Sequence, residues 1–220
     1  MNFQRARSKD QIQDRIQEII KAASMIYDSE GYEELNFTKI SEYTKFTRPN
    51  IYKYFKTKEE ILLLILNKDL KSWISTLSKS FQINKLYSIY EIGEIWTDTL
   101  IEHERLIKLH AILYTTIEKN VSLEALAEFE KSSIEINSTI TSLVSQLFPK
   151  ASNDSIMNFI YAATTLAFGL YPMTKLSELQ KEAIKLSGSI YTAPDFKKTY
   201  IASLYQLMYC LEHSIEIKEL

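Results

Sequence analysis

Six cations, Lys39, Lys45, Arg48, Lys53, Lys56 and Lys58, face one carboxylate, Glu42, across residues 39–58. Among them stand hydroxyl, amide and phenol side chains: Thr38, Thr47, Asn50, Tyr52 and Tyr54. A local charge of +5 on a chain whose net charge is −2 is the electrostatic footprint of an element that meets a polyanion. Such a run also describes a solvated helix face, and charge alone leaves both readings open. The apolar residues between the cations narrow the choice. Phe37, Ile40, Phe46, Ile51 and Phe55 are spaced to point inward from two short helices, leaving Arg48, Asn50, Lys53 and Tyr54 outside. Two short helices with apolar inner faces and a basic outer face meet the needs of a helix-turn-helix, whose second helix lies in the major groove.

The flanking elements fit that unit. A first helix is expected from about Ser8, capped with Gln11, to Glu30, with Ile12, Ile16, Ile19, Ala23 and Ile26 at helical spacing and Gly31 as its stop. Asn36 is a good N-cap for the second helix, and Thr47 starts the third, with Pro49 in the first turn, where a missing N–H costs little. Thr57-Lys58-Glu59-Glu60 reads as a complete capping box for a fourth.

Residues 36–55 closely resemble the N-terminal DNA-binding domain of TetR-type regulators. The resemblance rests on Ile40-Ser41, Lys45-Phe46-Thr47, Ile51-Tyr52-Lys53-Tyr54-Phe55 and Lys58-Glu59-Glu60-Ile61, with Gly31-Tyr32 upstream, and covers about residues 10–70. Lys45 stands where the family usually has the turn glycine, and Pro49 where it has a small or polar residue. The resemblance implies an all-α fold: a three-helix head, residues 1–56, then a helical ligand-binding and dimerisation domain, residues 57–220. It also implies roles. Arg48 would read guanine with two hydrogen bonds, and Asn50 would meet adenine or phosphate. Thr38, Thr47, Tyr52, Lys53, Tyr54 and Lys58 would hold the backbone, helped by helix N-termini.

The rest of the chain reads as further helices. Stripes run through Ile89, Ile92, Trp96 and Leu100, then Leu106, Leu109, Leu113 and Ile117, then Leu123 to Leu147, with Pro149 as a stop. Residues 156–171 are apolar nearly all round, the mark of a buried helix, and Pro172 ends or kinks it. Helices follow over about 176–186 and after the capping pattern Thr192-Ala-Pro-Asp195. By analogy with the family, Ala163, Ala167, Leu170, Ile201, Leu204, Met208 and Leu211 are the expected homodimer contacts. Trp96, His103, His110, Tyr114, Phe129, Phe159 and Tyr161 are the expected walls of a pocket for a small apolar or aromatic ligand.

Four glycines and four prolines in 220 residues favour long helices with few turns. One cysteine, Cys210, excludes an internal disulfide and fits a reducing cytoplasm. The opening MNFQRARSKDQIQD has no apolar run of the secretory kind, and no stretch approaches the ~20 apolar residues of a membrane span. There is no glycine-rich phosphate loop, His-Glu-x-x-His or Gly-x-Ser-x-Gly. Neither an enzyme, a cofactor nor a metal site is expected; Cys210 with His213 makes only two ligands. The expectation is a cytoplasmic repressor that binds double-stranded operator DNA as a homodimer and leaves it on binding a ligand. The alternatives are a regulator without a small ligand and a helical scaffold whose residues 36–58 hold an acidic protein.

Overall fold

The computed structural model describes residues 9–82 and 85–213, and among them the chain is helical without strands. The α-helices are α1 (Lys9–Glu30), α2 (Phe37–Glu42), α3 (Arg48–Ile51), α4 (Lys58–Ser80), α5 (Ile89–Ile101), α6 (Glu104–Ala111), α7 (Leu123–Leu147), α8 (Asn153–Thr174), α9 (Glu178–Ser187) and α10 (Phe196–Glu212). A π-turn at Leu113–Ile117 and a 3-10 turn at Glu118–Asn120 join α6 to α7. The chain forms two compact units. One holds residues up to Lys68 with Ile112–Ser132; the other holds Asp69–Ala111 and the residues from Ser133 on. The division falls inside α4 and α7.

In the first unit, Ile19, Ala23, Ile26, Leu35, Ile40, Ile51, Phe55 and Ile61 are buried. The α1 stripe is fully buried only from Ile19 onward; Ile16 is partly buried and Ile12 is exposed. Gly31 ends α1 at φ +86°, a left-handed conformation that costs a side chain ~1–2 kcal/mol, and its N–H donates to Tyr27 O at 3.0 Å. Ser8 of the expected α1 cap lies outside the described residues. Asn36 caps α2 by accepting the Lys39 N–H at 2.9 Å.

In the second unit α8 packs against α6 and α10, and α10 against α5. Its centre is aromatic and hydrogen-bonded throughout. Trp73 and Trp96 meet edge to face at 5.5 Å, as do Trp96 and Phe159. The Trp96 indole donates to the Tyr200 hydroxyl at 3.2 Å, which donates to Ala163 O at 3.0 Å; the Trp73 indole donates to Thr99 Oγ1 at 3.3 Å. Burying these rings is favourable because each polar tip keeps a partner. Asp69, almost fully buried, receives two bonds from Arg105, at 2.7 and 2.8 Å. α8 is long and apolar enough to cross a membrane by length and composition, contrary to the sequence expectation. It is a core helix instead, with Ile156, Phe159, Ile160, Ala163, Ala167, Phe168, Leu170 and Tyr171 buried. Pro172 does not end it; the helix continues to Thr174.

Other boundaries also shift. α6 ends at Ala111, so Leu113 and Ile117 continue their stripe on the π-turn rather than on one helix. Leu123, at the start of α7, is exposed. Tyr200→Phe would leave the Trp96 N–H and the Ala163 carbonyl without their shared partner. It is expected to cost about 1–3 kcal/mol in urea unfolding followed by tryptophan fluorescence, against near zero for the exposed Tyr205→Phe.

Candidate nucleic-acid interface

α3 is a single turn, prolonged by hydrogen bonds from Tyr52 N to Arg48 O and from Phe55 N to Ile51 O. Thr47 caps it in backbone conformation, but its hydroxyl makes no cap bond. Pro49, at the second position, lacks the N–H such a hydroxyl would accept. Tyr52 is half-exposed and sets its ring edge to face on Phe37 of α2 at 4.7 Å. The Arg48 guanidinium donates to the Tyr52 hydroxyl at 3.2 Å, its Cζ 5.6 Å from the ring centre. Phe37, Tyr52 and Arg48 therefore form one stack that aims the guanidinium. On the other flank Lys53 Nζ donates to the Asn50 side chain at 2.9 Å. The α2–α3 turn is tied to α1: Lys45 N–H donates to Glu18 Oε1 at 3.3 Å, and Thr44 Oγ1 accepts from Phe46 N–H.

Lys58 opens α4 with its Nζ 3.7 Å from the centre of the Tyr32 ring, donating to Tyr32 O at 2.8 Å. The Tyr32 hydroxyl donates to Glu59 at 2.5 Å, and burial, then that carboxylate, push its pKa well above the ordinary tyrosine value. Glu60 corrects the expected capping box. Its N–H donates to Thr57 Oγ1 at 3.3 Å, but its carboxylate reaches back to the Lys56 N–H at 2.7 Å, not to that of Thr57. The other oxygen accepts from the Ser122 hydroxyl at 2.7 Å. Burial raises the Glu60 pKa, but the Lys56 N–H and the two Ser122 donors outweigh it and hold the acid below the ordinary carboxylate range.

These pieces enclose a groove of about 570 Å³ within the first unit, lined by Thr38, Arg48, Tyr52 and Lys58 together with Asn36, Lys56, Thr57 and Glu59. Four of the eight candidate DNA contacts meet there. Thr47, Asn50, Lys53 and Tyr54 lie beside it on the α3 turn and do not line it. Sequence reasoning missed Asn36, Lys56 and Thr57 as lining residues, although Asn36 and Thr57 were readable as caps and Lys56 as part of the charge patch. Lys39 leaves that patch: it is paired with Glu30 and, at 3.1 Å, Glu34.

The expected ligand walls fall in both units. Trp96 and Phe159 touch in the core of the second unit; Phe129 and Tyr114 belong to the first. Tyr114 and Tyr161 are exposed, because the buried face of α8 runs through Phe159, Ile160 and Ala163, and Tyr114 sits on the π-turn. His103 falls in the break between α5 and α6, bonded to Thr99 O and Ser72 Oγ. His110 stacks on Phe168 at 3.7 Å, and burial pulls its pKa down to about 4. The expected dimer contacts are placed as follows. Ala163, Ala167, Leu170, Leu204, Met208 and Leu211 are buried within the single chain, and Ile201 is only partly accessible. Tyr161 of α8 and Tyr205 and Tyr209 of α10 are exposed.

Residues 19–65 match the family model described as bacterial regulatory proteins, tetR family, and residues 67–212 match that of the tetracyclin repressor-like C-terminal domain. An HTH-type transcriptional regulator of Staphylococcus aureus is 28% identical over 95 residues, 43% of this chain and 49% of its own length. The match thus spans about half of that curated relative. Among solved structures, a transcriptional regulator of the TetR/AcrR family from Thermobifida fusca is 18% identical with a TM-score of 0.52, covering 92% of this chain and 99% of its own. The fatty acid degradation regulator FadR of Bacillus halodurans is 12% identical with a TM-score of 0.53, covering 96% and 99%. At these identities the two structures speak for the fold.

The Glu60 knot yields a pH signature. Its folded pKa is lowered, so its stabilisation is complete above the unfolded value of about 4.3 and is lost as pH falls through the folded value. Glu60→Gln should therefore melt earlier than wild type at neutral pH, by about 1–3 kcal/mol. The gap should close as pH falls from that unfolded value through the lowered folded one. Thermal melts followed by circular dichroism across that range would read it.

Proposed function

The chain belongs to the TetR family, and we propose that it is a DNA-binding transcriptional regulator that represses by occupying an operator as a homodimer in the cytoplasm. The observation that carries this reading is the groove where Thr38, Arg48, Tyr52 and Lys58 converge. Free N–H groups at the start of α4, the Lys58 ammonium and the Thr38 and Thr57 hydroxyls suit one phosphodiester. Arg48, steadied by Tyr52, is the base reader; Asn50 and Lys53 supplement it, with Thr47 and Tyr54 on the flanking backbone. Residues 1–56 act as the reading head, and the remainder as the regulatory and dimerisation part. Two heads on a palindrome supply the affinity and specificity one short site lacks. The exposed face of α10 that carries Tyr205 and Tyr209 is the surface that pairs the protomers. Release follows when a small ligand binds the conformation that fits DNA poorly, a coupling that is reciprocal by linkage.

Fluorescence anisotropy with the DNA beside the gene, at two salt concentrations, tests this. Wild type should prefer that DNA to random sequence and weaken as salt rises. Arg48→Ala should lose about 1–3 kcal/mol of that preference. Lys58→Ala should weaken binding to all sequences alike and lower the salt slope by about one. No preference over random DNA at low salt would sink the operator reading and favour a scaffold for an acidic protein. Separately, Tyr205→Glu combined with Tyr209→Glu should convert a dimer to a monomer in sedimentation velocity with the helical spectrum intact.

A further inference from the structure

A cavity of about 840 Å³ lies within the second unit, between the C-terminal end of α4, residues 81–82 and 85–87, and the C-terminal half of α7. Ser78 lines it. The Ser78 hydroxyl oxygen is shielded from solvent and has no hydrogen-bond partner. Its neighbours on α4 behave otherwise: Thr76 Oγ1 folds back to Ser72 O at 3.1 Å and Ser80 Oγ to Thr76 O at 2.9 Å. That back-bond is the ordinary resting place of a helical hydroxyl. A buried polar atom without a partner is costly and calls for one.

The opposite wall is polar without being acidic. α7 turns Ser138, Ser142 and Gln146 toward the cavity at four-residue spacing, beside the apolar Leu143. Phe81 and Tyr87 meet edge to face at 5.2 Å, and the Tyr87 hydroxyl accepts from the Gln82 N–H at 2.8 Å, which fixes the ring. Over that ring, at 4.4 Å, stands the Lys85 ammonium, the one charged group among the described lining residues. The acid nearest in charge terms, Glu91 of α5, is already held by the Ser88 N–H and hydroxyl at 2.8 and 2.9 Å. One fixed cation with no carboxylate rejects cationic ligands and is too little for a polyphosphate. Uncharged hydrogen-bonding groups beside leucine and phenyl surface suit a molecule with one polar and one apolar side.

We propose that this cavity binds a small monocarboxylate that also carries hydroxyl or amide groups, its carboxylate on Lys85 and a donor or acceptor on Ser78. The proposal concerns binding; it deepens the ligand-release reading by naming a site and a ligand class, and rests on that reading only for its effect on DNA. Amide-resolved NMR of the full chain, titrated with N-acetyl-leucine, salicylate and their neutral amides, tests it. The carboxylates should shift the Ser78, Ser142 and Gln146 signals saturably, with a dissociation constant on the order of a millimolar or tighter. The neutral amides should bind about tenfold more weakly. Lys85→Met should bring the carboxylates down to that level. Ser142→Phe, at an exposed helix position, should block the cavity and abolish the shifts with the melting temperature unchanged. No saturable shift by either carboxylate, shifts that survive Ser142→Phe, or equal affinity for acid and amide would each overturn the proposal. Binding of a probe with operator affinity unchanged would support the site and overturn ligand release instead.

Discussion

A helix of four residues cannot hold itself in place, since closing its first turn fixes several dihedrals for one hydrogen bond. α3 is such a helix, and everything the reading head does depends on the way its neighbours anchor it. Ile51 and Phe55 sink into the core beneath it, and Phe46 seals the turn before it. Above, Phe37 carries Tyr52, and Tyr52 carries Arg48. The guanidinium is thus positioned by a ring one turn further along its own helix, and α2 holds that ring through Phe37. Lowering the freedom of a long side chain before contact reduces the entropy lost on binding. The Glu60 carboxylate does the equivalent on the far side, joining the chain before α4 to Ser122.

The second unit is built on a different economy. Large rings fill its centre, and their few polar atoms are spent on one another: Trp73 on Thr99, Trp96 on Tyr200, Tyr200 on Ala163. An interior so satisfied leaves no polar group to recruit a guest. It contrasts with the end of α4, where Ser78 alone forgoes the bond its neighbours make. Recognition needs unspent hydrogen-bonding capacity next to apolar surface, and that combination distinguishes the α4–α7 cavity from the aromatic core.

Helix ends were the most legible part of the sequence because they are local chemistry. Gly31, Asn36 and Asp195 each act within four residues of themselves, and each stands where its type requires. Helix faces were less legible. Periodicity identifies the apolar side of α8, but not which element covers it, so Ala163 and Ala167 read equally well as a contact with a second protomer; within the chain, α10 covers them. Charge counting has a similar blind spot. Lys39 belonged to the basic patch by number, yet Glu30 and Glu34, close to it only after folding, neutralise it. The groove was half legible: Arg48 and Lys58 announced themselves by charge, whereas Asn36 and Thr57 had already been assigned to capping. A capping residue's side chain satisfies its own helix while its neighbours' N–H groups face outward, so one residue type serves both purposes.

α4 carries Lys58 of the groove and Ser78 of the cavity on one continuous helix. Continuity of this kind does not by itself couple two sites. A ligand shifts an equilibrium only by the difference in its affinity for the two states, however tightly it binds. The requirement falls on α7, because the polar wall at Ser138, Ser142 and Gln146 can move relative to Ser78 only if the pairing of α4 with α7 has two arrangements. A guest that bridges Ser78 and α7 favours whichever arrangement brings them together. DNA affinity then responds to the extent that the position of Lys58 depends on the same choice, and a molecule held by Lys85 and Tyr87 alone, touching neither helix, would bind without signalling.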